Sequence, residues 1–436
     1  MPDFATSSDP AVQAQLGRLG SSIYATDILG LERITALLDR LGRPQDRLPP
    51  VFHVAGTNGK GSTCAFLRAA LEAAGHRVHA FTSPHLVRFN ERIRLAGALI
   101  EDDELAPLLA ETLDANDGIG ASFFEVTTAA AMLAFSRTPA DAVILEVGLG
   151  GRLDATNVVD RPLVTGIASL GLDHQGYLGT RIVDIAAEKA GIAKRGVPLV
   201  TMLYPPPLAA RIGEVAATAG AVWLPRGDHW DAISSRGKLR YRDKAGELTL
   251  PLPRLPGRHQ ALNAALAVAM LRHQTALDVP STALHAAMGW AHWPARLQRL
   301  AGGPLFDALP PGSETWLDGG HNPSASRLIA DHAKKVWNDG LPVTLLFASL
   351  KSKNAAATLS PFRDIATEVR TLPIPGHDSH DPEQLAAMAR QMGFAASAHA
   401  TLDEALAGIA APTRLLVFGS LYLAGVVLSL NGPLPD

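Results

Sequence analysis

Several short blocks of the chain carry residue types suited to chemistry on a phosphate. In VFHVAGTNGKGSTCAFLRAAL an apolar strand runs into Gly56-Thr57-Asn58-Gly59-Lys60-Gly61-Ser62 and then into a helix. Glycines let successive backbone N–H groups converge on phosphate oxygens, and the helix N-terminus adds partial positive charge there. Lys60 supplies a full charge, and Ser62 can reach a magnesium ion. The loop departs from the usual G-x-x-x-x-G-K-[ST] spacing, because Val54 stands where the first glycine belongs and Gly61 where Ser or Thr belongs. A plain glycine turn is the bland alternative, and the lysine and flanking pattern argue against it.

A second block, AVILEVGLGGRLDATN, delivers Glu146 to the carboxyl end of a buried strand, where an acid can hold magnesium directly or through water. Gly148, Gly150 and Gly151 then make a loop carrying Arg152 and Asp154. A third block, IASLGLDHQGYLG, contains Asp173-His174-Gln175-Gly176, which also fits the D-x-x-G of GTPases; no N-K-x-D guanine-reading motif accompanies it. In Ala187-Glu188-Lys189-Ala190-Gly191 a lysine sits on a mostly apolar helix. Either it snorkels to solvent, or burial lowers its pKa and lets the neutral amine take up carbon dioxide as a carbamate, an oxygen ligand for magnesium. Near the C-terminal end, Trp316-Leu317-Asp318-Gly319-Gly320-His321-Asn322-Pro323 puts an acid and a histidine on a strand-to-helix turn suited to ribose or substrate contacts. HDSH at 377–380 offers metal ligands only superficially, since it lies in a proline- and glycine-flanked loop with no third convergent ligand.

Composition bounds what these blocks can serve. The 436 residues exceed one ordinary domain, and 47% hydrophobic against 19% charged residues excludes a charge-solvated disordered chain. Lysine plus arginine (39) nearly balance aspartate plus glutamate (42), so the net charge of -3 gives no footprint for a nucleic acid or an anionic membrane. The one cysteine, Cys64, can form neither an internal disulfide nor a multi-cysteine zinc site, which fits the cytoplasm. The opening MPDFATSSDP does not read as a secretory signal. The uncharged stretch 415–435 is broken by Gly419-Ser420 and Asn431-Gly432-Pro433, and reads as a buried strand plus a buried helix.

The elements that must position the blocks alternate. VFHVA (51–55), RVHAF (77–81), DAVILEV (141–147), LVTGIAS (163–169) and GVPLV (196–200) read as strands, with helices over 62–74, 123–137 and 182–193 between them. That alternation predicts a parallel sheet covered by helices, with sites at the carboxyl ends of its strands. Residues 231–252 read as an antiparallel appendage turning near Arg236-Gly237 and Lys244-Ala245-Gly246. A second α/β series follows Pro294, with strands in 315–317, 343–350, 366–372 and 414–420 and a helix over 381–392 that Asp381 caps and Pro382 opens. The expected division is 1–295 and 296–436, with a linker near 291–302.

Taken together the blocks resemble the Mur ligase superfamily, and closely its folylpolyglutamate synthase/dihydrofolate synthase family. The likeness rests on GTNGKGS (56–62), TSPHLVRFNERI (82–93), SFFEVTTAAA (122–131), EVGLGGRLDATN (146–157), LDHQGYLG (172–179), AAEKAGI (186–192), GRHQALNA (257–264) and LDGGHNP (317–323), in family order over most of the chain. The short phosphate loop is itself the family form. The resemblance implies a P-loop ATPase domain with a parallel sheet, a smaller Rossmann-like C-terminal α/β domain, and an active site between them.

Position by position, the resemblance implies that Lys60 and Ser62 bind the ATP phosphates and magnesium, and that Ser83, Glu146 and His174 hold two metal ions. Lys189 matches the lysine that the family carbamylates. Asn263 would meet adenine, Arg296 the phosphates and Asp318 the ribose. His321 would help receive glutamate, Phe124, Arg152 and Asp154 would line the pterin side, and Tyr422 lies where the family closes the amino-acid site. The implied activity is ATP-dependent ligation of L-glutamate to a dihydropteroate or folate carboxylate through an acyl phosphate, within folate biosynthesis and one-carbon metabolism, by a cytoplasmic monomer that needs no nucleic acid or membrane. Closure of two domains would exclude water from the acyl phosphate. Two competitors stand beside it. A Mur-type ligase would respond to uridine-diphosphate muropeptides, and a P-loop regulatory switch would show no turnover dependent on an amino acid.

Overall fold

A computed structural model describes residues 5–21, 29–307, 309–432 and 434–435. Residues 1–4 of the N-terminal stretch and Pro433 of the terminal run lie outside the described residues. The described chain forms two compact units, one within Met1–Arg254 and Gln260–His292, the other within Leu255–His259 and Trp293–Pro435.

The first unit is built on eight strands: β1 Val51–Ala55, β2 Val78–Phe81, β3 Ile93–Leu95, β4 Ala98–Leu99, β5 Ala142–Glu146, β6 Val164–Ile167, β7 Pro198–Thr201 and β8 Val222–Pro225. They lie in the order β4-β3-β2-β5-β1-β6-β7-β8, parallel except at the β3 and β4 edge. Central strands β1 and β5 are buried at every position, which is why their sequences, His53 and Glu146 apart, are apolar rather than alternating. Between them the chain order reverses. The Lys60–Ala73 helix carries the chain from β1 past β5 to β2, while the segment after β5 leads to β6 on the other side of β1. A crevice at the carboxyl ends of strands follows from such a reversal. In-register pairing of Val54 with Glu146 and with Gly166 places the ends of β5 and β6 on either side of the loop after β1.

Helices cover the sheet. Phe123–Arg137 starts in a capping box, with Ser122 Oγ accepting from Glu125 N at 3.3 Å and Glu125 Oε2 accepting from Ser122 N at 2.7 Å. Its apolar face joins Leu37, Phe81, Phe89 and Leu109 in one core. A second core gathers Ala55, Val147, Ile167, Ala186, Leu199 and Ile212. The segment expected as an appendage forms a separate antiparallel sheet of β9 Trp230–Ser235, β10 Lys238–Asp243 and β11 Gly246–Pro251. Asp243 takes a bidentate ion pair from Arg272 at 2.6 and 2.7 Å, tying that sheet to the Arg258–Arg272 helix.

In the second unit, β12 Gln298–Leu300, β13 Glu314–Leu317, β14 Val343–Phe347, β15 Ala366–Thr371, β16 Ala395–Ala398 and β17 Arg414–Phe418 lie in the order β12-β13-β17-β14-β15-β16. All neighbours are parallel except β12 with β13. The core gathers Phe347, Phe362, Leu385, Leu416 and Phe418. Asp381 caps the Pro382–Gln391 helix, accepting from Gln384 N at 3.1 Å. The uncharged C-terminal run is strand β17 followed by the buried Leu421–Asn431 helix, and no helix among the described residues is long and apolar enough to cross a membrane.

Three expectations need correction. Residues 298–300, read as linker, are an edge strand whose backbone pairs with Thr315–Leu317. The first-unit helix starts at Lys60 rather than Ser62, because Gly59 with φ 86° turns the chain directly into it. The helix read over 182–193 stops at Ala190, where Gly191 lies against Arg152, leaving no room for a side chain.

Candidate active site

Backbone hydrogen bonds fix the loop after β1. Thr57 N and Asn58 N donate to Ser169 O at 2.8 and 3.1 Å, pinning the loop to the segment after β6. Gly59 has to be glycine on two counts: its φ is 86°, and a Cβ there would collide with the Asn263 side chain. The same clash shows that Asn263 stands against the phosphate loop, with its Nδ2 donating to Gln260 Oε1 at 3.0 Å.

Lys60 Nζ lies 4.0 Å from Glu146 Oε1, and both side chains are shielded from solvent. Ser83 N donates to Glu146 Oε2 at 3.4 Å, which brings the TSPHL block to the same carboxylate. Within the first turn of the helix, Ser62 is 1% exposed and its Oγ has no partner. An orphaned buried hydroxyl costs about 1–3 kcal/mol, so a ligand there is expected to complete it. Among the described residues no group of three or more His, Cys, Asp or Glu could hold a metal ion. A hydroxyl and a carboxylate offering hard oxygens, with phosphate and water to fill the remaining positions, is the donor set that suits magnesium.

Lys189 is 4% exposed on the Ile182–Ala190 helix. Burial and then the Lys60 charge push its amine down to about 7, against the opposing pull of Asp173 and Asp154. Much of the amine is therefore neutral and nucleophilic near neutral pH. The snorkelling alternative is excluded by this burial. Asp173 is buried and accepts from His174 N at 2.8 Å. His174 itself is exposed, with φ 50°, at the start of the short Gln175–Leu178 helix.

The loop after β5 is fastened at both ends. Arg152 N donates to Glu188 O at 2.8 Å, and the Arg152 guanidinium pairs with Glu188 Oε1 at 2.9 and 3.1 Å. Phe124 lies flat enough against Gly148 that no side chain could stand there. Its ring also tilts onto Phe81, with centroids 5.8 Å apart. Asp154 was expected to line a substrate pocket, yet its oxygens are already engaged. Oδ2 accepts from Leu149 N at 2.8 Å, and Oδ1 accepts from Thr156 N at 3.0 Å and Thr156 Oγ1 at 2.5 Å. Burial raises its pKa, with those donors and Lys60 opposing.

The remaining candidates belong to the second unit. Asp318 is 5% exposed; Oδ2 accepts from Leu297 N and Oδ1 from Gly320 N, each at 2.7 Å. Arg296 is displayed between Ala295 and Leu297, whose φ values are 53° and 45°, and its Nη1 donates to Ala295 O at 2.8 Å. Such left-handed backbone on either side of one arginine is a cost accepted to aim it. His321 Nδ1 lies 2.9 Å from Gly319 O. Tyr422 stacks on His377 with centroids 3.9 Å apart. In the HDSH segment Asp378 pairs with Lys351 at 2.7 Å and His380 N donates to Ser349 O at 2.9 Å.

Thus Lys60, Ser62, Ser83, Glu146, Lys189 and Asn263 converge at the carboxyl ends of β1 and β5 in one unit, with Phe124, Arg152 and Asp154 on the adjoining loop and helix. Arg296, Asp318, His321 and Tyr422 lie on the other unit. Sequence reasoning did not single out Glu188, His53 or Thr156, whose partners stand 36 residues or more than 100 residues away in the chain.

No family model matches the chain. It is 34% identical over 406 residues to the dihydrofolate synthase/folylpolyglutamate synthase of Escherichia coli, covering 92% of this chain and 91% of that one. Among solved structures, E. coli FolC in complex with DHPP and ADP superposes with a TM-score of 0.85 at 32% identity, covering 98% of each chain. A bifunctional folylpolyglutamate synthase/dihydrofolate synthase with Mn, AMPPNP and L-glutamate bound gives 0.84 at 32% identity, covering 98% of this chain and 99% of that one.

Proposed function

Since the chain belongs to the folylpolyglutamate synthase/dihydrofolate synthase family, we propose that it couples L-glutamate to the carboxylate of dihydropteroate or a folate, using ATP and releasing ADP and phosphate. The observation that carries this reading is the unpartnered Ser62 hydroxyl two residues after Lys60, whose ammonium faces Glu146 from a glycine-rich loop.

The chemistry follows from what those groups can do. A carboxylate is a poor electrophile, and phosphorylation turns one of its oxygens into a leaving group. Backbone N–H groups at the start of the Lys60–Ala73 helix and the Lys60 ammonium neutralise charge on the transferring phosphoryl group. A divalent ion, held by Ser62 and Glu146 with Ser83 and His174 alongside, supplies further charge neutralisation when bound. The Lys189 amine, neutral near pH 7, is suited to carbamylation, which would place an anionic oxygen donor beside Lys60. Asn263, against the phosphate loop, would receive adenine. By the family resemblance, Arg296 would meet the nucleotide phosphates, Asp318 the ribose, and His321 and Tyr422 the incoming glutamate. The glutamate amine attacks the acyl carbon, phosphate leaves with the C–O bonding pair, and the amine loses a proton to give the amide. A division into 1–295 for nucleotide and pteridine and 296–436 for glutamate belongs to the same proposal, as does a cytoplasmic location, which suits a lone buried Cys64.

The test is ADP release by the purified protein with magnesium-ATP and L-glutamate, comparing dihydropteroate with tetrahydrofolate. Stimulation by either supports the proposal and assigns the acceptor. Stimulation by neither, with uridine-diphosphate muropeptides active instead, rejects it.

A further inference from the structure

His53 is fully buried in the middle of β1, three residues before the phosphate loop. A polar ring there demands a reason, because an apolar side chain would fill the strand at no desolvation cost. Its Nε2 lies 2.8 Å from Thr156 Oγ1, and Thr156 Oγ1 donates in turn to Asp154 Oδ1 at 2.5 Å. The three groups form an unbroken chain from the sheet to the loop after β5.

The direction of that chain is fixed by counting protons. Thr156 has one hydroxyl proton. Asp154 also receives two backbone N–H groups, from Leu149 and Thr156, so the carboxylate is the acceptor of everything around it. Thr156 therefore gives its proton to Asp154 and must accept from His53, which places the ring proton on Nε2. Nδ1 is then a bare lone pair, and in the structure it is buried without a partner. The ring is held neutral as well, its pKa pushed down to about 3 by burial and by Lys194.

What the chain orients is not a passive cap. Asp154 anchors the Leu149 end of the loop, and the same loop is tied at Arg152 to Glu188 on the helix that bears Lys189. Asn157 Nδ2 adds bonds to Arg152 O at 3.0 Å and Gly191 O at 3.2 Å. Gly148, against which Phe124 packs, lies one residue before Leu149. One carboxylate thus sets the path of a loop that meets Phe124 at Gly148 and, through Arg152, the Lys189 helix.

We propose that His53, acting through Thr156, is a positioning residue that fixes the Asp154 carboxylate and with it the Arg152 and Phe124 side of the site. The proposal rests on the ligase reading above, in that its readout is the pteridine substrate. It makes His53 and Thr156 specific to that substrate rather than to the nucleotide, although His53 stands on the strand that leads into the phosphate loop.

The experiment measures ADP release for wild type, Thr156→Val, Thr156→Ser, His53→Leu and His53→Gln, varying dihydropteroate and ATP separately at saturating L-glutamate. Losing the Thr156–Asp154 hydrogen bond, or the His53 bond that orients it, gives an expected rise of about tenfold in KM for dihydropteroate in Thr156→Val and His53→Leu. KM for ATP should stay within about twofold, a bound set by treating the two subsites as independent. Thr156→Ser and His53→Gln, which keep a hydroxyl and an N–H donor, should restore most of the loss. Equal values for Thr156→Val and Thr156→Ser, or KM values for both substrates rising together, would overturn the proposal. If Thr156→Val does not fold, the contrast of His53→Leu with His53→Gln decides the same question. A wild-type enzyme inert toward every pteridine would instead overturn the ligase reading, so the two failures are told apart.

Discussion

Lys60 Nζ and Glu146 Oε1 face each other at 4.0 Å across the carboxyl ends of two adjacent parallel strands. A cation and an anion held at that spacing, both screened from water, are too far apart for a tight ion pair and well placed to admit phosphate and a metal ion between them. Lys60→Ala removes the only full positive charge of the phosphate loop itself. We expect turnover to fall by at least two orders of magnitude, in line with the loss of an electrostatic contact made at the transferring group, while circular dichroism and the melting temperature stay close to wild type. ADP release near the wild-type rate would remove Lys60 from the mechanism.

Glu146→Gln keeps size and hydrogen bonding but loses the charge that faces Lys60. Turnover should collapse, and residual turnover should need much higher magnesium. A titration of magnesium against ADP release checks this; an unchanged half-saturating concentration would mean that the carboxylate holds no ion.

Lys189 links function to stability through its lowered pKa. With a folded value of about 7 against 10.5 for the free side chain, the unfolded chain binds more protons at every pH between them. Stability therefore rises as pH increases from about 7 to about 10.5, and below 7 the burial penalty is felt in full, up to roughly 4 to 5 kcal/mol. Lys189→Met should abolish turnover and yet be more resistant to urea than wild type at pH 6.5. In chelated, carbon-dioxide-depleted buffer the gap should narrow by pH 9.5. A gap that does not change with pH would show that the amine is not desolvated.

Arg152 and Glu188 form a largely exposed pair, which is worth little to stability. Arg152→Ala should shift the urea midpoint by less than the equivalent of about 1 kcal/mol, while raising KM for dihydropteroate. Steady-state kinetics with each substrate varied in turn distinguishes this from a loss spread over ATP and glutamate.

Asp318 accepts from two backbone N–H groups that no water can reach easily. Asp318→Ala leaves Leu297 N and Gly320 N without acceptors and should cost about 2–5 kcal/mol, seen as a lower urea midpoint together with weaker ATP binding. Asp318→Asn keeps one acceptor oxygen and should fall between the two.

The phosphate loop, the buried strands and the Phe123–Arg137 helix were legible because their signals are local: a glycine pattern, an apolar run, a helical stretch between two strands. The end of β5 could be placed for the same reason, and with it Glu146. The Asp102–Ala115 helix is not readable locally, since Pro107 stands inside it. Edge strand β12 is hidden by its length of three residues and by the proline and glycines around it, and only its partner β13 makes it a strand. Long-range polar partners were invisible too. Nothing near Thr156 in sequence announces His53, and nothing near Arg152 announces Glu188. The fate of Asp154 shows the same limit from the other side: its motif marks it as important, but only the fold shows its oxygens engaged by Leu149 and Thr156.

The account turns on ATP activating the pteridine carboxylate. Dihydropteroate labelled with oxygen-18 in that carboxylate, turned over with magnesium-ATP and L-glutamate, tests it by mass spectrometry of the released phosphate. Acyl phosphate formation predicts one labelled oxygen in each inorganic phosphate and one fewer in the product amide. Unlabelled phosphate released alongside amide would contradict it.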